Sequence, residues 1–169
     1  VAMLMGISND LIKKSILEFK GVQRRFNFIF QHNKSIYYDD YAHHPTEIYE
    51  LLKSTRDVFK SKKIVSIFQP HRVSRLNFLK ERFTKCFKFA DQVVLCPIYK
   101  AGENIKLKFN YTKFAKEIIK NSNVDLIMIN SEKDLLKFAK QNIYGDKIVI
   151  AMGAGTISSW IRNLPELIK

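Results

Sequence analysis

Apolar residues follow two patterns along this chain, and the two patterns alternate. One is a short, mostly apolar run, typical of a strand buried on both faces, and it occurs at 64–68, 93–96, 125–129 and 148–152. The other is a return of apolar residues every three or four positions, as on one face of a helix, and it occurs at 46–60, 75–88, 111–120 and from 131 onward. Strands that alternate with helices predict a mostly parallel sheet.

The first forty residues predict a helix followed by a hairpin. Residues 8–20 show helical spacing and are followed by Gly21, a residue type that commonly ends helices. Apolar runs at 26–30 and 35–38 lie close enough along the chain to pair as adjacent strands. With the strands of the alternating region, they predict a Rossmann-like α/β fold, with a mostly parallel sheet of about six strands and helices on both faces.

The charge of the chain has two interpretations. Lysine and arginine number 29 against 16 aspartate and glutamate residues, which gives a net charge of +13. A surplus of this kind is found in nucleic-acid-binding proteins, but it also fits a lysine-rich surface combined with a phosphate-bearing ligand. The lysines are spread over several amphipathic segments and form no dense basic arm. We therefore favour the second interpretation and predict no nucleic-acid partner.

Length and composition predict one domain with a full core. The chain has 169 residues, of which 46% are hydrophobic. No apolar run approaches the roughly 20 residues that cross a bilayer, so we predict no membrane partner. Cys86 and Cys96 show no CxxC spacing, and we interpret them as reduced, apolar residues of a cytoplasmic protein. The chain does not begin with methionine, and we expect it to be part of a longer protein.

Chemically functional side chains are concentrated where the predicted strands end. Two of these stretches are Asp39-Asp40-Tyr41-Ala42-His43-His44-Pro45 and Gln69-Pro70-His71-Arg72-Val73-Ser74-Arg75. Two others lie in the loops at 99–103 and 153–156. The carboxyl ends of parallel strands share one edge of a sheet, and ligands of open α/β sheets bind at that edge. We therefore expect these four loops to form one site.

Arginines before a helix indicate an anion site. Arg72 and Arg75 follow His71 and precede the helical segment that begins near residue 75. A guanidinium binds carboxylate or phosphate with two parallel hydrogen bonds. The alternative is a salt bridge at the helix start, which we favour less because a cation there opposes the helix dipole.

The paired histidines allow a metal interpretation, which we do not favour. His43 and His44 lie beside Asp39 and Asp40, but adjacent histidines point in different directions and the spacing matches no zinc pattern. We expect one imidazole to face a ligand and the other to be structural. A general-base role for His43 is possible chemically, although no partner for it is visible in the sequence.

The sequence contains neither of two glycine-rich motifs that commonly bind nucleotides. Gly153-Ala154-Gly155 lacks the full GxGxxG spacing, and close packing of a strand against a helix would explain it equally well. The sequence contains no GxxxxGK[ST] motif, so a P-loop for ATP is absent from this chain.

Taken together, the motifs resemble the C-terminal domain of the Mur ligases. The similar pieces occur in the order of that family, and they are Gly21–Phe26, Asp39–Ile48, Phe68–Arg75, Tyr99–Glu103 and Gly153–Ile157. Two positions depart from the family pattern, because Ala42 stands where a glycine is usual and Val73 where an aromatic residue is usual.

The resemblance implies a three-domain, ATP-dependent amide ligase. Residues 1–20 would be the tail of a central domain that binds ATP and Mg²⁺, 21–26 a hinge, and 27–169 the C-terminal amino-acid-binding domain. An N-terminal domain would bind a UDP-sugar. The stretch at 71–75 is most similar to members that join L-alanine to UDP-N-acetylmuramate through an acyl phosphate, in peptidoglycan precursor synthesis. Without the P-loop domain, this chain alone would be inactive.

The resemblance also implies residue roles. Arg25 and Asp40 would contact ATP, and the amino-acid side would be lined by Tyr41, His43, Arg72 and Arg75. The catalytic residues would be His43, Arg72 and Arg75. No metal ligand is expected in this chain, because those for Mg²⁺ would lie in the central domain. Two alternatives stay open: a ligase that adds a preformed tripeptide to UDP-N-acetylmuramate, and a stand-alone basic module that binds nucleotides or nucleic acid.

Overall fold

A mixed sheet runs through the centre of the computed structural model, which describes residues 1–19, 21–103 and 109–168. The described residues form six strands: β1 Asn27–His32, β2 Ser35–Asp40, β3 Lys63–Phe68, β4 Gln92–Leu95, β5 Asp125–Met128 and β6 Lys147–Met152. Their order across the sheet is β1-β2-β6-β3-β4-β5. Strand β1 pairs antiparallel with β2, and the other neighbouring pairs are parallel. The predicted hairpin and mostly parallel sheet are confirmed.

Helices cover both faces of this sheet, as predicted. They are α1 Asn9–Glu18, α2 Pro45–Val58, α3 Val73–Phe78, α4 Lys80–Lys85, α5 Tyr111–Ser122, α6 Glu132–Asn142 and α7 Ile157–Ile168. One core lies between the sheet and the helices α2 to α5, and it includes Phe68, Phe83 and Phe114. The second core lies between the opposite face and α6 and α7, and it includes Leu135 and Ile161.

One predicted helix is wrong in its extent. The helix expected over 75–88 is divided into α3 and α4, and α3 begins two residues earlier, at Val73. The division falls at Leu79, whose backbone angles of φ −106° and ψ 17° are not helical. Both halves bury apolar side chains in the same core, for example Leu76 and Phe83, so the spacing of apolar residues does not reveal the break.

The segments before the sheet differ from the rest in burial. Helix α1 has no buried residue, although Ser8 caps it by accepting a hydrogen bond from Leu11 N at 3.3 Å. Residues 21–26 form neither helix nor strand. Lys20, residues 104–108 and Lys169, which the predicted segments 1–20 and 27–169 include, lie outside the described residues. Among the helices that are described, none is both long and apolar enough to cross a membrane.

Candidate functional site

Four strand ends lie level at one edge of the sheet. Asp40 at the end of β2 is opposite Met152 of β6, Met152 is opposite Phe68 of β3, and Phe68 is opposite Leu95 of β4. The loops that follow β2, β3, β4 and β6 therefore share this edge, which we call the rim. The prediction that the four loops come together is confirmed.

A row of four rings crosses the rim. The Tyr41 and His43 ring centres are 5.0 Å apart, those of His43 and His71 are 5.8 Å apart, and those of His71 and Tyr99 are 5.8 Å apart. The row thus links the loops after β2, β3 and β4. Tyr41 and His43 are predicted site residues, whereas His71 and Tyr99 did not enter the predicted set.

The two adjacent histidines have different surroundings. The His44 Nδ1 atom accepts a hydrogen bond from Thr46 N at 3.3 Å, and His44 is the N-cap of α2. The His43 Nδ1 atom lies 2.9 Å from the carbonyl oxygen of Tyr41. A carbonyl oxygen only accepts, so the His43 proton sits on Nδ1 and its Nε2 keeps a free electron pair when the ring is neutral. His43 is the imidazole that belongs to the rim.

Glu47 holds the two histidines in this arrangement. Its Oε2 atom accepts hydrogen bonds from the backbone N–H groups of His43, at 3.0 Å, and His44, at 3.1 Å. Burial acts to raise the pKa of Glu47, but these two hydrogen bonds and the nearby His43 ring outweigh it and lower the pKa. The carboxylate form of Glu47 therefore keeps the loop after β2 attached to the first turn of α2.

Arg72 and Arg75 occupy different places on the rim. An Arg75 NH1 nitrogen is 3.2 Å from Nδ1 of His71. The Arg72 side chain is exposed, while its backbone adopts φ +69°, unusual outside glycine, and its N–H donates to the Tyr99 carbonyl oxygen at 2.9 Å. In the part of the chain that the structure describes, no carboxylate lies within salt-bridge distance of either guanidinium. Both remain available to an anionic ligand.

Glu103 joins the loop after β4 to the start of α3. Its Oε2 atom accepts hydrogen bonds from Val73 N at 2.8 Å and Ser74 N at 3.3 Å, and its Oε1 atom accepts one from the Ser74 hydroxyl. The Ser74 hydroxyl bond, followed by these backbone bonds, lowers the pKa of Glu103. This contact fixes the backbone that carries Arg72 and Arg75, and the sequence interpretation missed it.

Asp40 ties the segment 21–26 to the rim. The residue is 5% exposed, and its carboxylate accepts hydrogen bonds from Phe26 N at 2.8 Å and Ala42 N at 2.7 Å. Burial raises the pKa of Asp40, against the effect of these two bonds and of the Arg25 charge. Both carboxylate oxygens are thus engaged within the chain. A direct contact of Asp40 with ATP stays a prediction, and the contacts present here support a role in holding the segment.

The two arginines of segment 21–26 face different environments. Arg24 donates from NH2 to the Gly153 carbonyl oxygen at 2.6 Å, and its guanidinium carbon stands 4.6 Å from the Tyr41 ring centre. Arg25 is exposed, with its guanidinium carbon 5.9 Å from the same ring. The sequence interpretation singled out Arg25 and missed Arg24. Nothing in the pair of adjacent arginines indicates which of them packs inward.

The glycines after β6 are explained by close packing. A Cβ atom on Gly153 would lie 2.8 Å from the Gln69 carbonyl oxygen, and one on Gly155 would lie 2.4 Å from Gln69 Oε1 and 2.6 Å from Tyr99 Cγ. The buried Gln69 side chain donates to the Thr156 hydroxyl at 3.0 Å and accepts from Ile157 N at 3.0 Å. The packing is therefore of loop against loop, and it holds the rim together.

The Asp39 side chain lies on the face of the sheet that α7 covers. Its side chain is fully buried, and its Oδ2 atom accepts hydrogen bonds from the Ser158 hydroxyl at 2.6 Å and from Arg162 at 3.0 Å. Asp39 therefore anchors α7 and takes no part in the row of rings. Among the described residues, no group of three or more His, Cys, Asp and Glu side chains is arranged to hold a metal ion.

The two cysteines are core residues. Cys86 and Cys96 are buried and free, and burial raises the pKa of both thiols. Their interpretation as reduced, apolar residues agrees with this environment, which disfavours the reactive thiolate.

The rim combines two kinds of binding group. Arg72 and Arg75 can hold a carboxylate or phosphate, and Nε2 of His43 is an acceptor for an amine or a hydroxyl when its ring carries one proton. Because the His43 and His71 rings are in contact and Arg75 bonds to His71, these groups lie side by side. The arrangement suits a small molecule that carries both an anionic and an amino group.

The chain is similar to known proteins of one family. The family model described as "Mur ligase, glutamate ligase domain" matches residues 24–155. The UDP-N-acetylmuramate–L-alanine ligase of Pelagibacter ubique is 59% identical over 99% of this chain and 36% of its own length. The ligase of the same name from Aquifex aeolicus is 37% identical over 95% of this chain and 34% of its own length. The chain thus spans about a third of the length of these relatives.

Two solved structures share the fold of this chain. The UDP-N-acetylmuramate–alanine ligase of Thermotoga maritima superposes with a TM-score of 0.77 and 28% identity, over 98% of this chain and 34% of that protein. A murein peptide ligase of Psychrobacter arcticus superposes with a TM-score of 0.73 over 92% of this chain and 32% of that protein. The sequence of that ligase is 18% identical to this chain, so the similarity shows only that the two proteins share a fold.

Proposed function

The chain belongs to the Mur ligase family, and we propose that it is the C-terminal, amino-acid-binding domain of an ATP-dependent ligase that joins L-alanine to UDP-N-acetylmuramate. The relatives whose names carry this activity align along nearly the whole chain. The reaction would belong to peptidoglycan precursor synthesis in the cytoplasm. The remaining two thirds of the ligase would supply the domains for the UDP-sugar and for ATP.

The observation that carries the proposal is the contact of His43, His71 and Arg75 on one rim. Arg75, with Arg72 beside it, would hold the alanine carboxylate. The amino group would then lie among positive charges, which disfavour its protonated form. The free Nε2 of His43 would accept the proton that the amine loses on attack. These groups would keep alanine in its nucleophilic form.

Amide formation would follow from that placement. The alanine nitrogen would attack the carbonyl carbon of the sugar's phosphorylated carboxyl group. A carbon–nitrogen bond forms, the carbon–oxygen bond to phosphate breaks, and phosphate leaves with the electron pair. The tetrahedral transition state is anionic, and Arg72, exposed and unpaired among the described residues, would stabilise it electrostatically.

The nucleotide side is assigned to segment 21–26 and its neighbours. Arg25 is exposed beside Tyr41 and would contact ATP, while Asp40 would hold the segment through Phe26 N. Mg²⁺, when bound, would neutralise charge on the phosphates of ATP. No cluster of possible ligands for it occurs in the described residues, and we keep its ligands in the central domain.

Residues 21–26 would be the hinge between two domains. They form neither helix nor strand, and Gly21, Arg24 and Phe26 all have positive φ angles, of 83°, 57° and 48°. Residues 1–20 would belong to the central domain, and the apolar side chains that α1 leaves exposed, such as Leu11 and Ile16, would be covered there. Closure about the hinge would exclude water and orient the reactants.

The test is a chimeric ligase, in which this chain replaces the corresponding third of the Pelagibacter ubique relative. Phosphate release from ATP would be measured with UDP-N-acetylmuramate and, in turn, L-alanine, glycine, L-serine and a preformed tripeptide. We expect release that depends on L-alanine. Release that depends on the tripeptide would transfer the chain to the alternative ligase. The untouched relative, assayed in parallel, shows that the remaining domains are competent, so a silent chimera would contradict the proposal.

A further inference from the structure

A cavity lies outside the rim, between the start of α2, α4 and α5. Its volume is about 470 Å³, and its wall includes Thr46, Tyr49, Arg82, Lys85, Lys88 and Asn121. We call it the basic pocket. Pro45 and Cys86 complete the wall. Three of these eight side chains are cations, and no acidic residue lines the pocket within the part of the chain that the structure describes.

The cations of the basic pocket are not neutralised by strong salt bridges among the described residues. Arg82 donates to the Thr46 hydroxyl at 2.7 Å, and Lys88 Nζ stands 4.9 Å from the Tyr49 ring centre. The Lys85 Nζ atom is 3.9 Å from Glu81 Oε1, and this contact is weak because both side chains are largely exposed. The nearby Lys80 differs, because it is paired with Glu117 at 2.7 Å.

Such a wall favours a particular ligand chemistry. Like charges gathered around one cavity repel each other, and an anion of higher charge relieves that repulsion. The Thr46 hydroxyl accepts from Arg82 and can still donate its proton to an oxygen atom of the anion. The Asn121 amide donates one N–H to Thr84 at 2.9 Å and keeps a second N–H for the anion. We propose that the basic pocket binds a small, multiply charged phosphate compound, of the size of pyrophosphate or a sugar phosphate.

The basic pocket is separate from the rim but adjoins it along the chain. Neither Arg72 nor Arg75 lines it. Thr46 lies in the first turn of α2, two residues after the N-cap His44, and Arg82 donates a hydrogen bond to its hydroxyl. A ligand in the pocket would therefore contact the first turn of α2, whose N-cap residue His44 directly follows the rim residue His43. The proposal does not depend on the ligase function proposed above.

The test is an NMR titration of the 169-residue chain with pyrophosphate at constant ionic strength. Two variants with the same loss of charge would be compared, Arg82→Gln/Lys88→Gln in the pocket and Arg72→Gln/Arg75→Gln on the rim. We expect saturable shifts of the Thr46 and Tyr49 amides. The pocket variant should raise the dissociation constant obtained from these amides about tenfold, and the rim variant should leave that constant nearly unchanged.

Two results would overturn the proposal. Equal weakening by both variants would show a response to net charge alone, and shifts confined to rim residues would place the anion elsewhere. The single variant Lys85→Gln guards against misfolding, because this side chain is 61% exposed and makes only the weak contact with Glu81. It should reduce the affinity severalfold while the rest of the spectrum stays unchanged.

Discussion

Arg75 donates a hydrogen bond from an NH1 nitrogen to the Nδ1 atom of His71, 3.2 Å away, and this contact requires a neutral imidazole ring. A protonated ring has no acceptor at Nδ1 and would repel the guanidinium. Burial, followed by the charge of Arg75, lowers the pKa of His71. Arg75 is thus oriented by a ring that loses its function as an acceptor in acid.

We expect this contact to make the chain less stable in mild acid. The unfolded chain takes up a proton at the ordinary histidine pKa of 6.5, before folded His71 does, so stability falls as the pH drops below 6.5. His71→Asn keeps an acceptor near the Nδ1 position but does not titrate. Its melting temperature should fall less than that of the wild type between about pH 7.5 and pH 5.5.

His32→Asn is the matched control for that comparison. His32 is at the end of β1 beside the hairpin turn, at the opposite end of β2 from the rim. This variant also removes one histidine, and it should keep the wild-type pH dependence. If His71→Asn showed the same decrease as the wild type, the acid sensitivity would originate elsewhere.

In the chimeric ligase, Arg75→Gln should raise the KM for L-alanine. The loss of a charge-assisted hydrogen bond costs about 1.5–3 kcal/mol, which corresponds to roughly tenfold to a hundredfold in affinity. Arg75→Lys should recover only part of this, because an ammonium cannot form the paired contact of a guanidinium. Lys137→Gln, at an exposed position on α6, is the control for charge loss. An unchanged KM and kcat for Arg75→Gln would remove Arg75 from the alanine site.

The sequence predicted those parts of the fold that depend on local patterns. The hairpin of β1 and β2, the parallel strands and the rim follow from apolar runs and from where they stop. The sequence interpretation missed the division between α3 and α4 at Leu79, because both short helices face the same core. The spacing of their apolar residues therefore continues across the break.

The missed site residues share a different cause. Arg24 is placed by a carbonyl group 129 residues further along the chain, and Glu103 by backbone groups about 30 residues before it. Such contacts leave no trace in the spacing of nearby residues. His71 was noticed beside Arg72 and Arg75, but its role as the acceptor for Arg75 depends on ring orientation, which composition does not determine.

Gly155 and Gly145 separate two costs of replacing glycine. A Cβ on Gly155 would lie 2.4 Å from Gln69 Oε1, so Gly155→Ala should destabilise the chain by steric overlap, at about 1–3 kcal/mol. Gly145 has φ +78° with nothing within 4 Å of an added Cβ, so Gly145→Ala should cost only its backbone strain, about 1 kcal/mol. Denaturant unfolding of both variants measures the difference.

Activity distinguishes the same two glycines. Gly155→Ala must displace Gln69 or Tyr99, and Tyr99 belongs to the row of rings, so the chimeric ligase should also lose affinity for L-alanine. Gly145 precedes β6 at the opposite end of the sheet, and Gly145→Ala should keep its affinity. Equal stability and equal KM for the two variants would show that the rim tolerates the added methyl group.

Glu103 provides a test of how the start of α3 is held. The hydrogen bonds from Ser74 and Val73 lower the pKa of Glu103, so its carboxylate stabilises the fold above the ordinary value of 4.5, and this contribution is lost as the pH falls through the lowered folded value. Glu103→Gln keeps a hydrogen-bond acceptor but removes the charge. The wild type should therefore melt at a higher temperature than the variant near neutral pH, and the difference should shrink below pH 4.5.

Ser74→Ala completes this prediction as a double-mutant cycle. Ser74 and Glu103 interact directly, so the effects of Ser74→Ala and Glu103→Gln on melting temperature should be less than additive when combined. In the chimeric ligase, each variant should raise the KM for L-alanine, because the α3 start that Glu103 fixes carries Arg72 and Arg75. Additive effects on stability together with an unchanged KM would show that the backbone of α3 holds its position without this carboxylate.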